Sequence, residues 1–184
     1  SSATGTYQIS QNLVTDVADT GDEGSVFGFY ATVNAFSADI TVENNVGVTD
    51  DESNGGVVNV ESVASDSVTI QDNGFSGVDL TTADAAFDFD SDQTFDTFDT
   101  ALSVTDVTIA DNNVSVTGGS GAFVNVADSG SASADINSLT VSNSGNTVYD
   151  GGDNGISGIS ASIGSGAVDS VTVDGVSFAD LGAA

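Results

Sequence analysis

The side chains in this sequence that carry chemistry are carboxylates. Phe87 to Asp92 reads Phe-Asp-Phe-Asp-Ser-Asp, so on a strand Asp88, Asp90 and Asp92 line one face while Phe87 and Phe89 take the other. A strand rise of about 3.3 Å per residue then spaces alternate carboxylates about 6–7 Å apart. Two further clusters stand at Asp50-Asp51-Glu52 and at Asp150-Gly151-Gly152-Asp153-Asn154-Gly155. Hard cations take carboxylate and carbonyl oxygens. Asp50, Asp51, Glu52, Asp88, Asp90, Asp92, Asp150 and Asp153 are therefore the candidate ligands for structural Ca2+. The competing reading is a solvated acidic face above Phe-anchored chain. No Asp-x-Asp-x-Asp-Gly loop closing on Glu is present, so the sites are not EF-hands.

Most other chemistry is excluded by what is absent. The chain has 184 residues and 28 carboxylates, 24 of them Asp, with no Lys, Arg, His, Cys, Met, Trp or Pro. Ser–His–Asp and Cys–His sites need His, zinc sites usually need His or Cys, and a phosphate-binding P-loop needs Lys. Gly118-Gly119-Ser120-Gly121 is Gly-rich, but no Lys follows it, and it reads as a turn. A carboxylate pair acting on a glycosidic bond survives this elimination. Any chain with 28 acids offers such a pair, and this one lacks Trp for sugar stacking, so no enzyme is expected.

A formal charge of −28 also argues against nucleic acid and against anionic lipid surfaces, both of which need basic residues. The apolar runs are only a few residues long, so membrane insertion is not expected. The opening Ser1-Ser2-Ala3-Thr4 reads as a mature end after cleavage, which places the protein outside the cell or at its surface. Without Lys or Arg there is no trypsin-type cleavage site. The carboxylates need external cations or high salt to moderate their mutual repulsion.

The elements that must position these groups are repetitive. Tyr7-Gln8-Ile9, Ile40-Thr41-Val42, Val68-Thr69-Ile70, Val107-Thr108-Ile109, Leu139-Thr140-Val141 and Val171-Thr172-Val173 share an apolar–polar–apolar pattern, at intervals of 33, 28, 39, 32 and 32 residues. Asn12, Asn45, Asn73 and Asn112 each follow three residues after such a triplet. A second element alternates with the first: Val33-Asn34-Ala35, Val58-Asn59-Val60, Phe87-Asp88-Phe89, Val124-Asn125-Val126 and Ala161-Ser162-Ile163. Period-2 alternation of Val, Ile, Thr and Phe makes each a short strand with one buried face, and Gly, Asn, Asp and Ser fill the turns.

The expected fold is all-β, a single domain over 1–184, with 83–101 an acidic, Phe-rich insertion in the longest repeat. Two architectures remain open. One is a parallel β-solenoid of about five to six coils, with Val/Ile pairs inside, a Thr ladder outside and an Asn ladder at a turn. The other is an antiparallel β-sandwich or jelly roll, for which Asn73-Gly74 and Asp174-Gly175 are hairpin signals.

Residues 108–116, Thr-Ile-Ala-Asp-Asn-Asn-Val-Ser-Val, together with Ile40 to Val48 and Val68 to Val78, resemble the coil repeats of pectin-lyase-like right-handed β-helices, in which Asn follows a buried strand. The resemblance covers about a third of the chain and implies a fold class. The family's catalysis relies on basic residues that this chain lacks, so its activity is not implied. By composition the chain also resembles bacterial or archaeal extracellular filament proteins. The cluster at 150–155 is loosely similar to the calcium-binding coils of repeat toxins.

These observations predict a structural subunit that self-assembles, head to tail or by strand addition, into an extracellular filament, sheath or matrix. The donor-strand candidate is Thr6 to Val14, with Tyr7, Ile9, Leu13 and Val14 as its apolar residues. The alternative is an adhesin or surface-layer module that recognises glycan or protein, with Tyr30 and Tyr149 as its exposed aromatics. Ice or mineral binding by the Thr column is a third class, weakened by repeat lengths that vary from 28 to 39. Asn113-Val114-Ser115 is an N-glycosylation acceptor pattern.

Overall fold

A computed structural model describes residues 3–15, 26–30, 36–48, 56–61, 63–80, 85–91, 101–128, 132–144 and 147–182. Strands are numbered along the chain. One six-stranded sheet orders β1 (Ala3–Ser10), β4 (Phe36–Glu43), β7 (Ala64–Gln71), β10 (Leu102–Ala110), β13 (Ala134–Ser142) and β16 (Ala167–Asp174). A second orders β2 (Leu13–Thr15), β5 (Val46–Val48), β8 (Gly74–Leu80), β11 (Asn113–Gly119), β14 (Tyr149–Asp150) and β17 (Phe178–Ala179). The third has five strands: β3 (Phe27–Tyr30), β6 (Val58–Glu61), β9 (Ala85–Asp90), β12 (Ala122–Ala127) and β15 (Ser157–Ser162). Successive strands visit the three sheets in turn, and each strand through β14 pairs with the third one after it.

Every pairing among the described strands is parallel, which removes the antiparallel sandwich. The two hairpin signals fail for a backbone reason. A two-residue type I′ turn needs positive φ at both central residues. At the first signal Asp72 alone turns left-handed (φ 55°), Asn73 is consumed by a side-chain ladder, and Gly74 already begins β8. At the second, Asp174 ends β16 and only Gly175 has positive φ, 65°. One left-handed residue bends the chain into another sheet rather than back along its own. Gln11, Asn44, Asp72 and Asp111 mark this corner in four successive repeats, each one residue before a ladder Asn.

The six triplets of the first element align in one continuous register. Tyr7, Ile40, Val68, Val107, Leu139 and Val171 form one column, and Gln8 followed by the five Thr residues forms the next. The second element needs two corrections. Val58-Asn59-Val60 pairs with Phe27-Gly28-Phe29, while Val33-Asn34-Ala35 lies outside the described residues. Val124-Asn125-Val126 pairs with Ile159-Ser160-Ala161, two residues before the expected triplet. The expected insertion at 83–101 contributes β9, in register with β6 and β12, so Phe87 and Phe89 are core residues; 83–84 and 92–100 lie outside the described residues.

Side chains from all three sheets meet in one apolar cluster. Val42, Ile70, Ile109 and Val141 come from the first sheet, Phe75, Val114 and Tyr149 from the second, and Val60, Phe89 and Val126 from the third. Full burial of each such aliphatic or aromatic side chain is worth about 1.5–3 kcal/mol.

The corner where the first sheet hands over to the second is fixed by an amide ladder. Asn12 Nδ2 donates to Asn45 Oδ1 (2.9 Å), Asn45 Nδ2 to Asn73 Oδ1 (3.0 Å) and Asn73 Nδ2 to Asn112 Oδ1 (2.9 Å). The backbone N–H of Asn12, Asn45 and Asn73 donates to the same three oxygens. The second amide hydrogen of Asn45, Asn73 and Asn112 goes back to the carbonyl of Ile9, Val42 and Ile70. Asn45, Asn73 and Asn112 are buried, so these bonds replace solvation that the folded chain denies them.

Candidate functional site

Among the described residues the outermost strands of the first sheet each pair on one side, and each exposes apolar side chains. Among the described strands β1 pairs only with β4, and β16 only with β13. Tyr7 is 43% exposed at one end, while Val171 and Val173 are 53% and 51% exposed at the other; Leu13 (74%) instead belongs to an outward-facing column with the exposed Val46 (49%). The corresponding residues of the middle repeats, Val68, Ile70, Val107 and Ile109, are buried. The exposed rows at the two ends are therefore the cut faces of the core. Of the four donor-strand candidates, Tyr7 and Ile9 lie in β1, paired with Ile40 and Val42, and Leu13 and Val14 lie in β2, paired with Val46 and Gly47.

The candidate cation ligands are dispersed. Asp50, Asp51, Glu52 and Asp92 lie outside the described residues. Asp88 is on the outer face of the third sheet yet only 5% exposed, and its Oδ1 accepts from Asn125 Nδ2 at 3.0 Å. Asn59, its register partner on β6, is 9% exposed, with Oδ1 buried and without a hydrogen bond. Asp90 is half-buried opposite Glu61. Asp150 Oδ1 accepts from Gly152 N–H at 3.0 Å, and Asp153 is exposed at a left-handed position (φ 61°). Among the described residues, no three acidic side chains converge where one cation would bind them together.

Neutral donors take the place of cations around several carboxylates. Glu43 accepts from Gln8 Nε2 (2.7 Å) on one side and Gln71 Nε2 (3.0 Å) on the other. Ser67 Oγ donates to Asp39 Oδ1 at 2.9 Å. The densest example is Asp128, which the sequence did not single out. Its Oδ2 accepts from the backbone N–H of Gly164 (2.8 Å), Ser165 (2.6 Å) and Gly166 (2.9 Å), and its Oδ1 accepts from Ala134 N–H (2.6 Å). Desolvation pushes this carboxyl up, but the N–H groups of Gly166, Ser165, Ala134 and Gly164 outweigh it and bring the pKa down to about 2. The carboxylate ties the end of β12 to the turn before β16. Asp111 is likewise lowered by the backbone N–H and hydroxyl of Ser144.

Tyr149 is not an exposed aromatic. It occupies the inward register of β14, between Val114 and Phe178, and is fully buried. Its ring stacks on Phe178 with centroids 5.4 Å apart and lies 5.1 Å from Phe123. Burial raises the phenol above its ordinary range. The Asn112 side chain opposes that shift but makes no hydrogen bond of normal geometry with the hydroxyl. The side chain of Tyr30 lies outside the described residues. Asn113, the glycosylation candidate, is exposed at the start of β11, where its Oδ1 accepts from Val148 N–H at 3.2 Å.

One groove lies on the outer face of the third sheet, over β12 and β15. It encloses about 360 Å³ and is lined by Ser120, Asn125, Ser157, Ser160 and Ser162 among others. No helix among the described residues is long and apolar enough to cross a membrane. No protein family, curated protein or solved structure matches the chain.

Proposed function

We propose that the three sheets are the faces of one parallel β-solenoid, and that the protein is an extracellular structural subunit that self-assembles into a filament, sheath or matrix. The strict rotation of strands through the sheets supports the solenoid, because each cycle of three strands advances the chain by one strand in every sheet. The buried Asn three residues after three of the first-element strands (Asn45, Asn73 and Asn112) supports a likeness to pectin-lyase-like coils in fold alone. The observation that carries the assembly reading is the pair of open edges with exposed apolar side chains. Repeat proteins that stay monomeric cover such ends with polar caps, and heterologous contacts that do not close generate filaments.

In this reading the carboxylates form a hydrated surface without sites for trypsin-type proteases. Diffuse monovalent ions or bridging Ca2+ moderate its repulsion. The role requires no catalytic group, nucleic acid or membrane insertion. Electron microscopy of the purified protein, with millimolar calcium and with chelator, tests it. Ordered filaments or sheets are expected, and their loss on chelation would assign the bridging to calcium. Dispersed particles at every protein, salt and calcium concentration would overturn it.

The second reading is a binding module, an adhesin or surface-layer domain. The hydroxyl- and amide-lined groove over β12 and β15 favours it, since such a surface matches the hydroxyls of a glycan. Glycan-array binding that disappears on filling the groove with Ser160→Trp would support that alternative.

A further inference from the structure

We propose that copies of this chain join head to tail through a parallel junction, with β16 of one copy against β1 of the next in the register that already holds the first sheet together. The inference rests on the self-assembly reading above. It adds which edges meet, in what register, and through which polar side chain.

Extending the internal register by one step places Val171 opposite Tyr7 of the next copy, Thr172 opposite Gln8, Val173 opposite Ile9 and Asp174 opposite Ser10. The exposed valines of one end thereby cover the exposed Tyr7 of the other and continue the column that is buried in the middle repeats. Charge favours this pairing over the joining of two β16 edges. β1 carries no charged residue, whereas β16 carries Asp169 and Asp174, so the mixed edge brings no carboxylate directly against another. Two β16 edges together would bring like charges onto facing strands, which destabilises a sheet.

The amide ladder supplies the polar half of the junction. In each step the ladder residue of one repeat donates its backbone N–H to the Asn Oδ1 of the following repeat. Asn12 begins the ladder. Among the described residues no repeat donates to its Oδ1, and its side chain is exposed. At the far end of the chain the same corner follows β16, with Gly175 at the left-handed position (φ 65°) and Val176 next. Only a backbone N–H is needed to continue the rule, and Val176 has one. In the junction Val176 N–H donates to Asn12 Oδ1 of the next copy. The Asn12 amide, now bonded to its own Ser10 carbonyl at 3.2 Å, swings to the Val173 carbonyl, as the Asn45 amide reaches the Ile9 carbonyl within the chain.

The chain has no cysteine, so crosslinking reads the register directly. In the double variant Gln8→Cys/Thr172→Cys both positions are on the outer face. At the strand spacing of about 4.8 Å their Cα atoms fall within disulfide range. Oxidation under assembling conditions should give a ladder of covalent multimers, while the off-register pair Gln8→Cys/Ser170→Cys should give far fewer. Asn12→Ala should raise the protein concentration needed for assembly about tenfold, from the loss of junction hydrogen bonds. The monomer's urea midpoint should fall less than in Asn45→Ala, because Asn12 is exposed and loses only its own bonds to Asn45 Oδ1 and Ser10 O. Filaments in which the off-register pair, or Gln8→Cys alone, crosslinks best would overturn this junction and leave the self-assembly reading standing. Filaments whose assembly concentration is unmoved by Asn12→Ala would overturn the role of Asn12. Absence of both filaments and crosslinks overturns the junction and the self-assembly reading together.

Discussion

Replacing the Asn73 amide by a carboxyl of the same shape tests whether the ladder supports the fold. In Asn73→Asp the packing volume is kept, but the Nδ2 that donates to Val42 O (3.0 Å) and Asn112 Oδ1 (2.9 Å) becomes an oxygen facing two acceptors. Two hydrogen bonds at about 1 kcal/mol each are lost, and two acceptors held at contact distance from a buried carboxylate add about 1–3 kcal/mol of desolvation and repulsion. The expected cost at neutral pH is about 3–5 kcal/mol. Burial and the facing acceptors raise the introduced carboxyl's folded pKa above its unfolded value near 3.9. A raised folded pKa contributes stability below the unfolded value and loses it as pH rises through the folded one. The deficit relative to the parent should therefore shrink as pH falls toward 4, when the protonated acid regains one donor. Urea unfolding of both proteins between pH 4 and 8 measures it. A deficit below about 1 kcal/mol that does not change with pH would refute the claim that the ladder amides are obligatory donors.

Asp128→Asn should cost about 1–2 kcal/mol near pH 6, after discounting the carboxylate's hydrogen bonds for solvent screening. The parent carboxyl is lowered from 3.8 to about 2, so its contribution is fully present above about pH 4 and lost as pH falls toward 2. The two urea midpoints should converge over that window, and a constant difference down to pH 2 would contradict the assignment. Gly56→Ala should destabilise by more than about 3 kcal/mol or prevent folding, because an added Cβ would lie 1.8 Å from the Ala85 carbonyl oxygen at a φ of +62°. A thermal midpoint within a few degrees of the parent would show that β9 does not pass so close.

What was legible in the sequence was what period-2 alternation can carry. The Val-Thr-Ile type triplets of the first sheet are long enough, and β-branched enough, for both strand and register to be read, and all six align. The second sheet was not legible as strands. β14 and β17 have two residues each and β2 and β5 three, too few for a period to show. Phe27-Gly28-Phe29 was missed because glycine in the outward position hides the polar half of the alternation. Tyr149, set in a stretch rich in Gly, Asn and Asp, reads from the sequence as an exposed aromatic. Its inward place follows from its register with Val114 and Phe178, and register is a long-range property. The Asn spacing was visible, but its bonding was not, because three amides twenty-eight to thirty-nine residues apart become neighbours only when the repeats lie side by side. Asp128 gave no local signal at all. Its partners are backbone N–H groups in a turn formed by Gly164, Ser165 and Gly166, and side-chain chemistry does not announce such donors.

In the proposed solenoid each repeat pairs with the adjoining repeats alone, so the molecule would behave as a one-dimensional lattice. A lesion in one repeat is felt by the two adjoining repeats and fades beyond them. A whole cycle of three strands excised between equivalent corners, or duplicated there, leaves every remaining interface of the same kind as before. Length is thus a free variable of this architecture. Evolution, or a designer, can tune it in steps of one strand spacing without inventing a new core.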